Sequence, residues 1–341
     1  VKAGRIEQRT IGYHASQVAS ASRTRQAQSV LHQALADLQT RSWDEVAASH
    51  LPSLDAIERG DLNELPLTGP ELKERAIESL RSDQQPFCPT GIERFDANFG
   101  GFTYGSLNVI AARPSVGKSL LACEIGIRAA EQGRHVLVIS LEMSDVEIAY
   151  RYLSRCSDVE LCKFRTGDIK QYVDHLERHE LPECLHVWVK PKATMQQIGA
   201  MVRCLKQRHG SLDMVIIDYL GLMGGISSNQ YERATGNSQE AKQLAVDENV
   251  AVVLASQLNR EAEKSEATLA NLALSGSIEQ DADTIMFLHR DKEKAPHELV
   301  VKLAKNRNGR LGSLKFEFEG EYARISDNEP MAQEMIEVKN S

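Results

Sequence analysis

Aromatic residues make up only 5% of this 341-residue chain, and its two tryptophans, Trp43 and Trp188, stand apart from any basic run. The basic and aromatic interleaving of an RNA-recognition sheet is missing, so base stacking is not a main binding mode. No apolar run approaches the ~20 residues that span a bilayer, and Val1 to Thr10 is charged, without the apolar centre of a signal peptide. These absences predict a soluble, cytoplasmic protein with no membrane partner. Six cysteines (Cys88, Cys123, Cys156, Cys162, Cys184, Cys204) form no CxxC and no Cys/His pair at zinc-finger spacing. That argues against a structural metal and predicts reduced thiols. Basic charge is not in excess either: 40 Lys and Arg face 48 Asp and Glu, a formal net charge of -8. Any contact with DNA or RNA must therefore be local.

What is present is enough hydrophobic residue, 42%, to build a core, in a chain whose length suits two domains or one with an appendage. The first ~85 residues are rich in Ala, Gln, Glu, Arg and Leu. AQSVLHQALADL places Val30, Leu31, Leu35 and Leu38 at helical spacing. The breaker-rich LNELPLTGP (62–70) then leads into a helix over 71–81 with proline at its start. Its narrow apolar stripe (Leu72, Ala76, Ile77, Leu80) cannot bury itself and predicts docking on another surface. From Phe87 short apolar runs alternate with helical stretches, the pattern of crossover units in a parallel sheet. Strands are predicted over 107–111, 135–140, 185–189, 214–217, 251–255 and 284–288, and helices over 118–131, 145–156, 195–208 and 238–248. Hairpin-like strands over 298–304, 313–318 and 322–325 predict an antiparallel extension. There is no internal repeat or low-complexity tract.

Ala112-Arg113-Pro114-Ser115-Val116-Gly117-Lys118-Ser119 follows an apolar run and opens a helical one, the context of a P-loop. It departs from GxxxxGK[ST] at Ala112, which stands where the first glycine belongs. The chemistry survives that change. Gly117 lets the backbone approach phosphates, successive N–H groups and the helix N-terminus favour an anion, Lys118 reaches the outer phosphates, and the Ser119 hydroxyl suits Mg2+. The plain alternative is an ordinary strand-turn-helix with a chance GKS. Strand C-termini in an open α/β sheet face the crevice beside such a loop. Asp218, ending MVIID, is there predicted to hold Mg2+ through water. Glu142, ending HVLVISLE, is predicted to polarise an attacking water for displacement of the γ-phosphate, and Gln257, past VVLAS, to sense that phosphate. Singly, each is equally a solvated strand cap; together they converge on one loop.

AARPSVGKS, SLEM (140–143), RTG (165–167), IIDYL (216–220), SQLNR (256–260), SGSIEQDAD (275–283) and KNRNG (305–309), in this order, resemble the DnaB-type replicative DNA helicases. The resemblance implies an α/β, RecA-like P-loop ATPase with a mostly parallel sheet over 87–328, preceded by a small all-helical N-terminal region. Residues 1–66, with Tyr13-His14-Ala15, are similar to the end of the family's N-terminal collar domain. Residues 67–86 resemble its linker helix, and 329–341 form a tail. It further implies a homohexameric ring with ATP between subunits, moving 5′ to 3′ on single-stranded DNA at a replication fork, with primase and a helicase loader as partners. Arg307 would be the finger that reaches a neighbour's γ-phosphate, with Lys305 beside it, and a basic residue on that loop is expected to gain little from its own fold. A solvated hairpin turn at Asn308-Gly309 is the plainer reading, compatible with the first.

The family's central DNA loop precedes the SGSIEQ run. There Ala273-Leu274 replaces an Arg-Glu pair, leaving the N–H groups of Ser275 and Gly276 for phosphate and predicting weaker DNA affinity. Arg260 and Lys264, in REAEKSEA, are candidate replacements or simply solvated. Arg290, ending IMFLHR, matches a strand-end arginine near the nucleotide by analogy, or forms a surface salt bridge with Asp291 or Glu293. Asp213 and Asp218 flank one strand but lack the further carboxylates of a two-metal nuclease. A RecA-like ATPase of recombination or signalling type, and a nucleotide-stabilised assembly factor without turnover, are the alternatives to a helicase.

Overall fold

The computed structural model describes residues 27, 30–59, 68–81, 87–224, 229–258 and 276–327. The chain divides into two compact units, residues 1–83 and 84–341. In the first, helices α1 (30–37), α2 (Trp43–Arg59) and α3 (Gly69–Arg81) follow one another. The side chain of Glu71 reaches back to the Thr68 N–H at 2.7 Å and to its hydroxyl, half of a capping box that fixes where α3 begins. None of the residues of α3 is buried; of the predicted stripe Leu80 is 83% exposed and Ile77 half-buried. Among the described residues no helix is long and apolar enough to cross a membrane.

The second unit is built on a nine-stranded sheet. Its strands are β3 (Leu107–Ala112), β4 (Val136–Ser140), β5 (Leu185–Val189), β6 (Met214–Asp218), β7 (Ala251–Gln257), β8 (Thr284–His289), β9 (Glu298–Asn306), β10 (Gly312–Glu319) and β11 (Arg324–Ser326). They lie in the order β11-β10-β9-β8-β3-β7-β6-β4-β5. The stretch from β8 to β5 is parallel, and β9, β10 and β11 extend it antiparallel, as their hairpin pattern predicts. A separate short pair, β1 (Phe87–Cys88) and β2 (Phe102–Thr103), brackets α4 (Glu93–Phe99).

The parallel strands read as unbroken apolar runs because both faces are covered. Period-two alternation sends Ile110, Val138, Ile216 and Val253 into one core with Leu121 and Ile125 of α5 (Lys118–Glu131). Val109, Leu137, Val215 and Leu254 enter the other core, with Ile198 and Val202 of α9 (Met195–His209) and Ala241 of α10 (Gln230–Glu248). On the first face α6 (Asp145–Ser157) is tied to α5 by Arg155, which bonds the fully buried Glu124 at 3.0 Å. The short helices α7 (Leu161–Thr166) and α8 (Val173–Leu176) close a third, small core around Phe164.

Several boundaries differ from the sequence reading. β6 and β7 run on to include Asp218 and Gln257. α10 starts eight residues earlier, where the Asn229 side chain accepts from the Tyr231 N–H; its polar first half shows little apolar periodicity. Tyr322, expected to open the last strand, instead closes a 3₁₀ turn over 320–322, and β11 begins only after Ala323, which sits at φ +50°.

Candidate nucleotide-binding site

The site begins at the end of β3. Ser115 at φ +62° and Gly117 at φ +126° curl the loop between Ala112 and α5. A Cβ on Gly117 would meet the Phe318 ring at 2.8 Å, so both backbone angle and space demand glycine. Gly117 is also the residue before α5, where it offers no side-chain cap, and the first turn of α5 holds no acidic residue. The opening N–H groups of that helix thus keep their positive end for an anion. The loop is braced on two sides. Arg113 donates to the Leu258 carbonyl at 3.0 Å, beyond β7. Arg290 donates to the Ser115 carbonyl at 3.0 Å and lies over the Phe318 ring, 3.9 Å from its centroid. Arg290 thus stands against the loop itself.

Parallel register brings the remaining groups to the same edge. Ala112 pairs with Gln257, and Ser140 pairs with Asp218, so the sheet order sets Gln257 between the loop and Asp218. Leu141 hydrogen-bonds the Asp218 carbonyl at 3.0 Å, and the Ser140 hydroxyl binds both backbone groups of Met143. Those bonds fix the turn that carries the exposed Glu142. Lys118 Nζ stands 3.8 Å from Asp218 Oδ1 and 4.1 Å from the centre of the Tyr219 ring. Burial pulls the Lys118 ammonium below its ordinary pKa, and the Asp218 and Glu142 carboxylates oppose that shift. A cation held this way gains from a polyanion that replaces lost hydration.

Asp218 is only 6% exposed, yet its Oδ1 has no hydrogen-bond partner. A buried orphan carboxylate oxygen beside Lys118, on the edge shared with the first turn of α5, fits a hydrated divalent cation held with Ser119. Asp213, at the opposite end of β6, is occupied by the Tyr104 hydroxyl at 2.6 Å and the His135 N–H at 2.9 Å. The two aspartates therefore do not form a metal pair. Tyr219 and Phe318 escaped the sequence reading because an aromatic after a strand or late in a hairpin carries no local signal.

Lys305 and Arg307 are not at this edge. They lie at the beginning of β8, one strand length away: about 20 Å at ~3.3 Å per residue. The expectation that Arg307 gains little from its own fold is corrected. Its guanidinium pairs with Asp283 at 3.1 Å and donates to the Gln280 carbonyl at 2.6 Å, while Lys305 donates to the Glu279 carbonyl. Both cations thus cap the last carbonyls of α11 (Gly276–Asp281). Asp283 in turn accepts from Lys242 at 2.7 Å and from the Leu107 N–H at 2.8 Å. The hairpin reading of this loop also holds, since residues 307–311 join the antiparallel β9 and β10. Gly276 opens α11; Arg260, Lys264 and Ser275, like Tyr13-His14-Ala15, lie outside the described residues.

A glycine-curled loop at the switch point of a mostly parallel sheet, with a lysine, two carboxylates and a glutamine ranged along the adjoining strand ends, defines a P-loop protein of the RecA-like class. Its relatives narrow that class. The profile of the DnaB-like helicase C-terminal domain matches residues 88–327, and the chain belongs to this family. It is 34% identical over 255 residues to the replicative DNA helicase DnaB of Treponema pallidum, covering 71% of this chain and 56% of that protein. The chain thus spans little more than half the length of that relative. Among solved structures, an ATPase domain superposes with a TM-score of 0.71 at 24% identity, over 78% of this chain and all of that one. A DnaB-like replicative helicase, solved in a study of its interactions with primase, superposes with a TM-score of 0.66 at 24% identity, over 94% of this chain and 80% of that one.

Proposed function

We propose that this chain is the ATP-hydrolysing motor of a replicative DNA helicase, working as a homohexameric ring that moves 5′ to 3′ on single-stranded DNA and excludes the other strand. The observation that carries the reading is the row of Lys118, Gln257, Asp218 and Glu142 along one sheet edge, with Arg307 held at the other. The backbone of residues 113–117 cradles the phosphates, and Lys118 neutralises the outer ones. Ser119 and, through water, Asp218 would hold Mg2+, which when bound would offset charge on the phosphate oxygens. Glu142 polarises the attacking water and Gln257 reports the γ-phosphate.

Arg307 cannot serve the site of its own chain across the length of β8. It is supplied to the next subunit, which places each nucleotide at a seam. Because Lys305 and Arg307 hold the end of α11, a shift of the segment before Gly276 changes the footing of both cations. DNA held through Ser275, Gly276, Arg260 and Lys264 is coupled to hydrolysis by that route. The apolar stripe of α3 docks on the adjacent motor, and primase and a loader are the expected further partners.

A forked duplex with a 5′ tail tests this. ATP and Mg2+ release one strand with the intact chain, and Lys118→Ala abolishes both release and ATP turnover while leaving the far-ultraviolet circular dichroism unchanged. DNA-stimulated hydrolysis without strand release would favour the recombination or signalling type instead.

A further inference from the structure

At the sheet edge remote from Lys118, three histidines from three elements meet. His135 immediately precedes β4 and His186 lies in β5, while His209 is the last residue of α9. Strand parity puts the first two together. His135 shares a face with Leu137, and Leu137 is the register partner of His186. That face is the one α9 packs on, so the last residue of the helix arrives over the pair. Among the described residues this is the one group of three metal-ligating side chains whose ligand atoms all lie within 4.8 Å of one another.

We propose that His135, His186 and His209 together bind one Zn2+ ion. The separation of His135 Nδ1 and His186 Nε2 is 3.3 Å. Two nitrogens on a tetrahedral zinc at ~2.0–2.1 Å stand about 3.3–3.4 Å apart, so this pair already has the edge length the ion needs. The third ligand sits on an exposed residue at a helix end, where a small ring rotation completes the set. Three imidazoles leave the fourth position of the ion for water or an outside ligand.

The surroundings fit the assignment. His135 is locked by its own backbone, whose N–H donates to Asp213 at 2.9 Å and whose carbonyl accepts from the Asp213 N–H at 2.8 Å. The rings of His135 and His186 lie 4° from parallel and that of His209 lies 4.6 Å from His186, so taking up an ion turns the rings until their in-plane lone pairs converge and replaces the hydrogen bond between His135 and His186. Nothing in the spacing of residues 135, 186 and 209 resembles a zinc motif, and only the parallel register of β4 and β5 with the end of α9 assembles the set. The sequence expectation of no structural metal is the one this inference departs from.

The test uses the full chain stripped with a chelator, titrated with Zn2+ by calorimetry and with Co2+ by visible absorption. The expected result is one ion per chain with low-micromolar or tighter affinity, cobalt bands of a low-coordinate nitrogen site, and a rise in unfolding temperature. His209→Ala, at an exposed position, and His186→Gln are each expected to weaken binding by about tenfold or more and to remove the cobalt bands. ATP turnover of His209→Ala stays at the wild-type level, since the cluster lies at the opposite end of β4 from Glu142. Failure of the stripped chain to take up Zn2+ overturns the proposal. So does undiminished affinity in both variants, which would put the ion on the exposed thiols of Cys162 or Cys204.

Discussion

Gly117 is asked for two things at once, a φ that side chains rarely adopt and a clearance that Phe318 denies to any Cβ. Gly117→Ala is expected to weaken nucleotide binding by about tenfold or more and to lower the unfolding midpoint as well, since ~1–3 kcal/mol of local strain is carried by the folded state; equilibrium titration with a fluorescent nucleotide measures the first and a urea melt the second. Residues of this kind were legible in the sequence because the loop pattern names them. Asp218 and Gln257 were legible too, since a polar residue closing an apolar run marks the strand end. Arg307 was legible as a basic residue on a turn, but its embrace of Asp283 was not. Asp283 closes the SGSIEQDAD run, whereas its partners Lys242, Leu107 and Arg307 come from three distant segments. The histidine trio was hidden for the same reason.

Among the elements, the parallel strands and the helices α5, α6 and α9 were readable to within a residue or two, because both-face burial writes long apolar runs and amphipathic stripes. The short pieces were not. β1, α4 and β2 span so few residues that no periodicity develops, and their place is set by packing: Phe95 meets Phe99 and Phe102 edge to face. The entry to α4 depends on Gly91 at φ +75°, where a Cβ would collide with the backbone of α5, 2.8 Å from the Arg128 carbonyl carbon. Gly91→Ala is therefore expected to cost about 2 kcal/mol or more, read as a lower urea midpoint at unchanged slope. Gly133→Ala, which also has positive φ but no neighbour within 4 Å, provides the comparison and should lose less.

For the whole molecule, the decisive measurement is mass in solution. A sixfold species is expected with ATP and Mg2+, and a chain that stays single while hydrolysing ATP at full speed would contradict the seam. The arrangement also predicts complementation. Lys118→Ala and Arg307→Ala are each inactive alone, and mixing the two before assembly should restore part of the turnover. Some seams then join an intact Lys118 to an intact Arg307, a result that a steady-state ATPase assay reads directly. Overall architecture was the most legible level, because alternating strands and helices around a phosphate loop leave few topologies to choose from. The relation between copies is written in no local pattern: Arg307 has partners in its own chain, Asp283 and the Gln280 carbonyl, and stands out only by its distance from Lys118.

With Lys118 and Arg307 a strand's length apart, the proposed ring divides ownership of a reaction centre between two copies, and heredity would show it. In a cell carrying both an intact and an Arg307-deficient gene, the defective product harms its neighbour's centre while its own loop remains sound. Each bad copy then spoils one seam that a good copy would have shared, so turnover falls with the share of defective product even though the intact gene is present.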